Sequence, residues 1–204
     1  SSAMRDVVQS IEPQMKNFSE ANKLKYRDYI TVAVMMKKEK MFSDNWIYIH
    51  SPDVQVGRVQ NFGRWSPYLV KDGKTCLGLE YFVTEGDEIW NTPDADLISL
   101  GKSEMGILGL LNSECVEEAY VVRMPKAYPM YDKNYFENVE TIKTWLKQNA
   151  ENIFPVGRNG MHRYNNQDHS MLTAILSVEN ILGADHDIWS VNVEQDYHEE
   201  VIET

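Results

Sequence analysis

Between Met171 and Leu182 the chain sets Met171, Leu172, Ala174, Ile175, Leu176, Val178, Ile181 and Leu182 nearly all the way round one helix. A helix that is apolar on every side belongs between layers of a core rather than against water. Asp168 stands at the expected N-cap and Gly183 just past the expected end. Upstream, Ile153 to Gly157 (IFPVG) reads as a short strand entering a polar loop of Arg, His, Tyr, Asn and Gln. Gly157 and Gly160 let the backbone turn sharply or approach a ligand closely. The helix N-terminus brings unbonded N–H groups and about half a positive charge. That end suits an anion, or a ring that becomes anionic on reduction. The same residues also read as a capped, buried helix behind a polar surface loop.

Before this segment lie two stretches of different character. Met4 to Gln9 and Ser19 to Leu24 read as short helical pieces, with Pro13 between them. Tyr29 to Met36, Asn45 to His50, Val56 to Phe62 and Thr75 to Val83 are β-branched or alternating runs separated by turn residues. Four such runs in succession predict an antiparallel meander, with Tyr29 to Met36 buried on both faces. Trp46, Tyr48 and His50 share one strand face, as do Arg58, Gln60 and Phe62 on the next run. Such a face can floor a pocket or meet solvent. Then Thr92-Pro93-Asp94 opens a helix, whose stripe runs through Leu97, Leu100, Leu108 and Leu111. Val116 to Arg123 reads as a fifth strand. Asn134 opens an amphipathic helix carrying Val139, Ile142 and Leu146. Runs of strands followed by runs of helices define an α+β fold.

The balance of 20 Lys and Arg against 31 Asp and Glu gives a net charge of −11. Nucleic-acid and anionic-membrane binders carry the opposite excess. Much of the surplus follows Arg163, after which no Lys or Arg occurs; residues 185–204 therefore read as a solvated acidic tail. No apolar run reaches the roughly 20 residues of a bilayer span. The two cysteines, Cys76 and Cys115, form no disulfide or metal pattern and point to a reducing, cytoplasmic setting. His162 and His169 lack companion ligands at metal spacing, so no metal is expected. The chain opens Ser1-Ser2-Ala3-Met4, without an initiating Met or a signal peptide, which points to processing or to a longer parent.

The glycine fingerprint of a dinucleotide fold, the phosphate loop, the G-x-S-x-G elbow and H-E-x-x-H are all missing. Against that background, Gly157-Arg158, Arg163-Tyr164 and Asp168 resemble the C-terminal cofactor segment of UDP-galactopyranose mutases and related FAD-dependent amine-oxidase-type flavoproteins. Asn166 and Gln167 depart from the mutase pattern, which favours an acid and Met there. Arg123 to Tyr131 (RMPKAYPMY) is similar to the R-x-x-x-A-x-P-x-Y segment of protoporphyrinogen-oxidase-like flavoproteins. The opening Ser1 to Arg5 is similar to the segment leaving the nucleotide domain of the same families.

The resemblance implies FAD bound with the help of Gly157, Arg158, Tyr164, Asn166, Gln167 and Asp168. It implies a substrate facing Tyr48, Asn61, Arg64, Tyr131, Arg158 and Tyr164; no catalytic residue is assigned. It implies a substrate domain over 1–150, a strand-loop-helix over 151–184 that returns to an FAD domain, and the tail. Because flavoproteins of this type hold the adenosine and pyrophosphate on a dinucleotide fold, that FAD-binding half must come from a longer chain or a partner. The isolated chain is then expected to be inactive. The expected activity is that of an FAD-dependent oxidoreductase transferring hydride to flavin. The alternatives are a mutase-like isomerase of a nucleotide sugar, and a non-catalytic binding module.

Overall fold

The computed structural model describes residues 2–11, 19–37 and 41–192. They fall into two compact units, one of Asp28–Pro125 and one of Ser1–Arg27 with Lys126–Thr204.

The first unit is built on a five-stranded sheet. Its strands are β1 (Tyr26–Lys37), β2 (Trp46–Tyr48), β3 (Arg58–Asn61), β4 (Lys74–Val83) and β5 (Val116–Pro129), in the order β2-β3-β4-β1-β5. The pairs β2–β3, β3–β4 and β4–β1 are antiparallel. The expected simple meander is therefore corrected. Strands β2 to β4 follow one another, but β1 crosses to the far side of β4, pairing Ile30 with Tyr81 and Val34 with Leu77. Strand β1 is also not buried on both faces. Ile30, Val32, Val34 and Met36 are buried, and the residues between them are half-exposed. Its unbroken apolar run hid a period of two, because Ala33 and Met35 tolerate the wetter face.

The buried face of β1 and β4 is covered by this unit's long helix, Asp94–Ile107 (α5). Leu97 and Met105 complete the core there. Gly101 marks a close approach: a Cβ there would lie 2.8 Å from Leu79 Cδ1 and 3.5 Å from Val32 Cγ1, so a larger residue has to displace the end of the buried Leu79 side chain. The expected opening at Pro93 is observed. The helix ends at Ile107, and Leu111 reaches the same core from the chain beyond it. On the opposite sheet face the predicted alternation holds. Trp46 faces Gln60 and Tyr48 faces Arg58 across β2 and β3. Phe62 leaves β3 to start a short helix, Phe62–Trp65 (α3).

The second unit is helical. It contains α1 (Met4–Ser10), α2 (Ser19–Lys23), α6 (Tyr135–Asn149), α7 (Gly157–Gly160) and α8 (Gln167–Ile181), α4 being the short helix Glu88–Asn91 of the sheet unit. Val139, Ile142 and Leu146 of α6 pack with Met4, Val8, Ala21, Leu24 and Tyr26, as the amphipathic reading predicts. Fully burying a residue such as Ile142 contributes about 1.5–3 kcal/mol. Residues 153–156 form no strand and pair with no described one, which corrects the expected strand over Ile153 to Gly157. No helix among the described residues is long and apolar enough to cross a membrane.

The largest correction concerns α8. Met171, Ile175, Val178 and Ile181 are 62, 52, 55 and 60% exposed, and Leu182 is 81% exposed. The buried positions are Thr173 and Ser177. Thr173 Oγ1 accepts from Gly157 N–H (3.1 Å) and donates to the Ser170 carbonyl (2.9 Å). Ser177 Oγ donates to the Thr173 carbonyl (2.8 Å). The helix turns a narrow polar stripe inward and its apolar surface outward. Asp168 is not its cap either. Asn166 is the N-cap and forms a capping box with His169, whose Nδ1 accepts from Asn166 N–H at 3.3 Å.

Candidate functional site

The segment from Gly157 to Asn192 forms a ledge in the helical unit, and Arg158 lies at its centre. Gly157 takes a positive φ of 74° and leads into α7, which presents the Arg158 side chain. Its Nε donates to the Asn165 carbonyl (2.9 Å), and Nη2 reaches Asn166 Oδ1 (3.4 Å). The guanidinium lies 4.4 Å from the Tyr164 ring centroid and 5.1 Å from that of Tyr128. The two rings are nearly parallel, 12° apart, with centroids at 5.8 Å. Cation–π contact of this kind contributes roughly 0.5–2 kcal/mol and fixes the plane of the fork. A guanidinium has five N–H donors, so donors remain on Arg158 beyond these two bonds. It is a positioned cation rather than a loose surface charge.

The loop around it is held by hydrogen bonds and ring contacts at several residues. Tyr164 N–H donates to Tyr131 Oη (2.7 Å). Tyr131 stacks on Tyr135 at 4.0 Å, and Tyr135 Oη donates to the His162 carbonyl (3.0 Å). Burial, then the neighbouring Tyr131 hydroxyl, push the Tyr135 phenol far up, so it stays a neutral donor. Asn192 Nδ2 donates to the Tyr164 carbonyl (3.0 Å) and to Asn165 Oδ1 (3.2 Å). Arg163 Nη1 donates to the Trp189 carbonyl (2.7 Å). His162 sits beneath with no exposed surface, its ring edge-on to Tyr26 at 4.6 Å.

These contacts overturn the picture of a solvated tail from residue 185. Asp187 Oδ1 caps the turn Ile188–Ser190 by accepting from Trp189 N–H (3.0 Å). His186 pairs with Glu179 at 2.7 Å, and Ile188 and Asn192 are buried. Residues 193–204 lie outside the described residues.

Of the sequence-derived candidates, the helical unit gathers Gly157, Arg158, Tyr164, Asn166 and Tyr131 on one ledge. Gln167 and Asp168 stand exposed at the start of α8 beside them. Tyr48, Asn61 and Arg64 belong to the sheet unit. There Tyr48 Oη accepts from Arg58 Nη1 (3.4 Å), and Arg58 is held by Glu80 at 2.6 Å in a largely buried ion pair. Asn61 and Arg64 line a different cleft. Sequence reasoning missed Tyr128 and His162. Tyr128 was visible as the aromatic of the A-x-P-x-Y segment, one residue before its proline.

The chain is similar in structure to reduced UDP-galactopyranose mutase, with a TM-score of 0.80 and 20% identity over 95% of this chain and 43% of that one. It is also similar to a protoporphyrinogen oxidase-like protein from Exiguobacterium sp. 255-15, with a TM-score of 0.62 and 13% identity over 88% of this chain and 40% of that one. The chain thus spans about two fifths of each neighbour's length. At these identities the likeness is one of fold. No protein-family model and no curated protein matches the sequence.

Proposed function

We propose that the chain is the substrate-binding portion of an FAD-dependent oxidoreductase, of the amine-oxidase and protoporphyrinogen-oxidase type, whose dinucleotide-binding half lies outside these residues. The observation that carries this reading is the outward-facing apolar surface of α8. Five large aliphatic side chains exposed on one helix are more than solvation accounts for and mark an interaction surface. Coverage of about two fifths of each structural neighbour supports the same reading. In this view residues 1–150 carry the substrate domain, and 151–184 return to the missing half.

The donor set suits a flavin. Asn166 and Gln167 offer carboxamide groups for a ring edge with both donors and acceptors, while the Gly157 N–H is spent on Thr173 Oγ1. The start of α8 offers partial positive charge where such a ring becomes anionic. FAD would accept the hydride. Arg158, clamped by Tyr128 and Tyr164, would orient an anionic group of substrate or cofactor with its remaining N–H donors. Tyr131 would keep Tyr164 in place by accepting its N–H.

The test is the visible absorption of the protein encoded by the whole reading frame that contains this chain. A bound, oxidised flavin spectrum bleached by a reducing substrate is expected; the 204-residue chain alone should retain no flavin. A full-length protein that is colourless and takes up no added FAD overturns the proposal in favour of a binding module. The higher likeness to the mutase favours a second reading, a flavin-dependent isomerase of a nucleotide sugar. Arg158→Ala separates the two: loss of nucleotide-sugar binding with flavin retained selects the isomerase.

A further inference from the structure

The sheet unit holds a cleft of about 410 Å³ that the flavin reading leaves unused. One wall is apolar, formed by Met41, Phe42, Pro67 and Val70. Its charged groups are Arg64, Lys71, Lys74 and Asp72. Lys74 is engaged, donating to Glu117. Arg64 and Lys71 make no ion pair or hydrogen bond through their side chains with any described residue. With Lys74 balanced by Glu117 and Asp72 set against one of the other two cations, the cleft retains one net positive charge. In a chain of net charge −11, unpaired cations converging on one cleft are uncommon. At the base lies Asn61, 4% exposed, its carboxamide oriented by donation from Nδ2 to the Phe42 carbonyl (3.1 Å).

We propose that this cleft binds an organic phosphate ester. The phosphate dianion sits between the Arg64 guanidinium and the Lys71 ammonium, and the apolar body lies against Phe42, Met41 and Val70. Charge matches in sign, since the cleft's net positive charge meets an anionic group and Arg64 and Lys71 both have N–H donors to give. Geometry matches, since a planar fork and a point charge together address the three phosphate oxygens. The volume lies within the range of small-molecule sites. The inference does not rest on flavin binding, because every group named belongs to residues 41–75.

The experiment titrates the isotope-labelled 204-residue chain with phenyl phosphate and follows the amide signals of Gly63 and Gly73. Saturable shifts are expected, with affinity at least tenfold above that for inorganic phosphate, and none with phenol. Arg64 and Lys71 are exposed, so the R64Q/K71Q double variant keeps the wild-type unfolding midpoint while losing at least tenfold in affinity. Equal, non-saturating responses to phenyl phosphate and inorganic phosphate would reduce the cleft to general electrostatic attraction and overturn the proposal. So would unchanged binding by the double variant. Because the flavin-free chain is used, neither result bears on the cofactor reading.

Discussion

Acid should loosen this protein through one buried ring. His162 has no exposed surface, stands edge-on to Tyr26 at 4.6 Å and lies 5.9 Å from the Tyr135 ring. Burial pushes its pKa down from the usual 6.5 to about 4, against weaker opposing pulls from the Met130 backbone and the Asp132 carboxylate. Above pH 6.5 neither the folded nor the unfolded chain holds the proton, and the stabilising preference for neutral imidazole is fully present. Between pH 6.5 and 4 the unfolded chain takes the proton first, so stability falls with pH across that window. At about 1.36 kcal/mol per pKa unit, the loss attributable to this ring reaches about 2 kcal/mol at pH 5 and about 3 kcal/mol at pH 4. Carboxylates titrate in the same range, so the quantity to measure is a difference. Urea unfolding of wild type and His162→Gln between pH 7 and 4 gives two stability curves. The variant is less stable at pH 7 and loses less on acidification, and the gap closes by about 2 kcal/mol by pH 5. His162→Asn, a residue that tolerates the positive φ of 47° found here, provides the control for backbone strain. Parallel curves for wild type and both variants would refute the argument, since the ring would then titrate alike folded and unfolded.

Three further outcomes follow from the packing. Glu104 is buried and accepts from Gln55 N–H (2.6 Å), Val56 N–H (3.2 Å) and Tyr81 Oη (2.8 Å); Tyr81→Phe should cost about 1.5–3 kcal/mol in thermal or urea unfolding, and a cost below about 0.5 kcal/mol would show that the carboxylate is solvated instead. Gly101→Ala drives a methyl into Leu79 and should cost about 1–3 kcal/mol, whereas Gly106→Ala on the same helix meets nothing within 4 Å and should be neutral or stabilising by differential scanning calorimetry. On α8 the usual expectation inverts: Ile175→Ser should change the stability of the 204-residue chain by no more than about 0.5 kcal/mol, while Thr173→Ala, which strands the buried Gly157 N–H, should cost about 1–3 kcal/mol.

Much of the fold was legible because local patterns and tertiary environment agree. The amphipathic helix from Asn134, the helix opened by Pro93 and the strand Thr75 to Val83 all follow periodicity and end signals. Alternation showed which residues of β2 and of β3 share a face, and the observed register puts Tyr48 opposite Arg58. The crossing of β1 to the far side of β4 could not, since an antiparallel pair needs only two matching faces and says nothing of which strands pair. The docked residues 185–192 were hidden by their charge. Asp187 and His186 look solvated in a count of acids, yet each satisfies a specific neighbour, Trp189 N–H in one case and Glu179 in the other.

The inversion of α8 is the instructive case. Counting apolar residues round the helix gave burial, but Ser170, Thr173, Ser177 and Asn180 recur at spacings of three and four, the period of a single helix face. Small hydroxyl side chains on such a stripe let α7 approach closely and supply the hydrogen bonds that its Gly157 N–H requires. A helix whose polar side is consumed by its own unit and whose apolar side is left in water is poorly explained by solvation, and well explained by a second surface. The same stripe therefore reports two things at once. It shows which face this chain uses for itself, and it shows which face is left uncovered among the described residues. Burying the exposed half of five aliphatic side chains would contribute on the order of 5 kcal/mol, which is the stabilisation that this face leaves unrealised among the described residues.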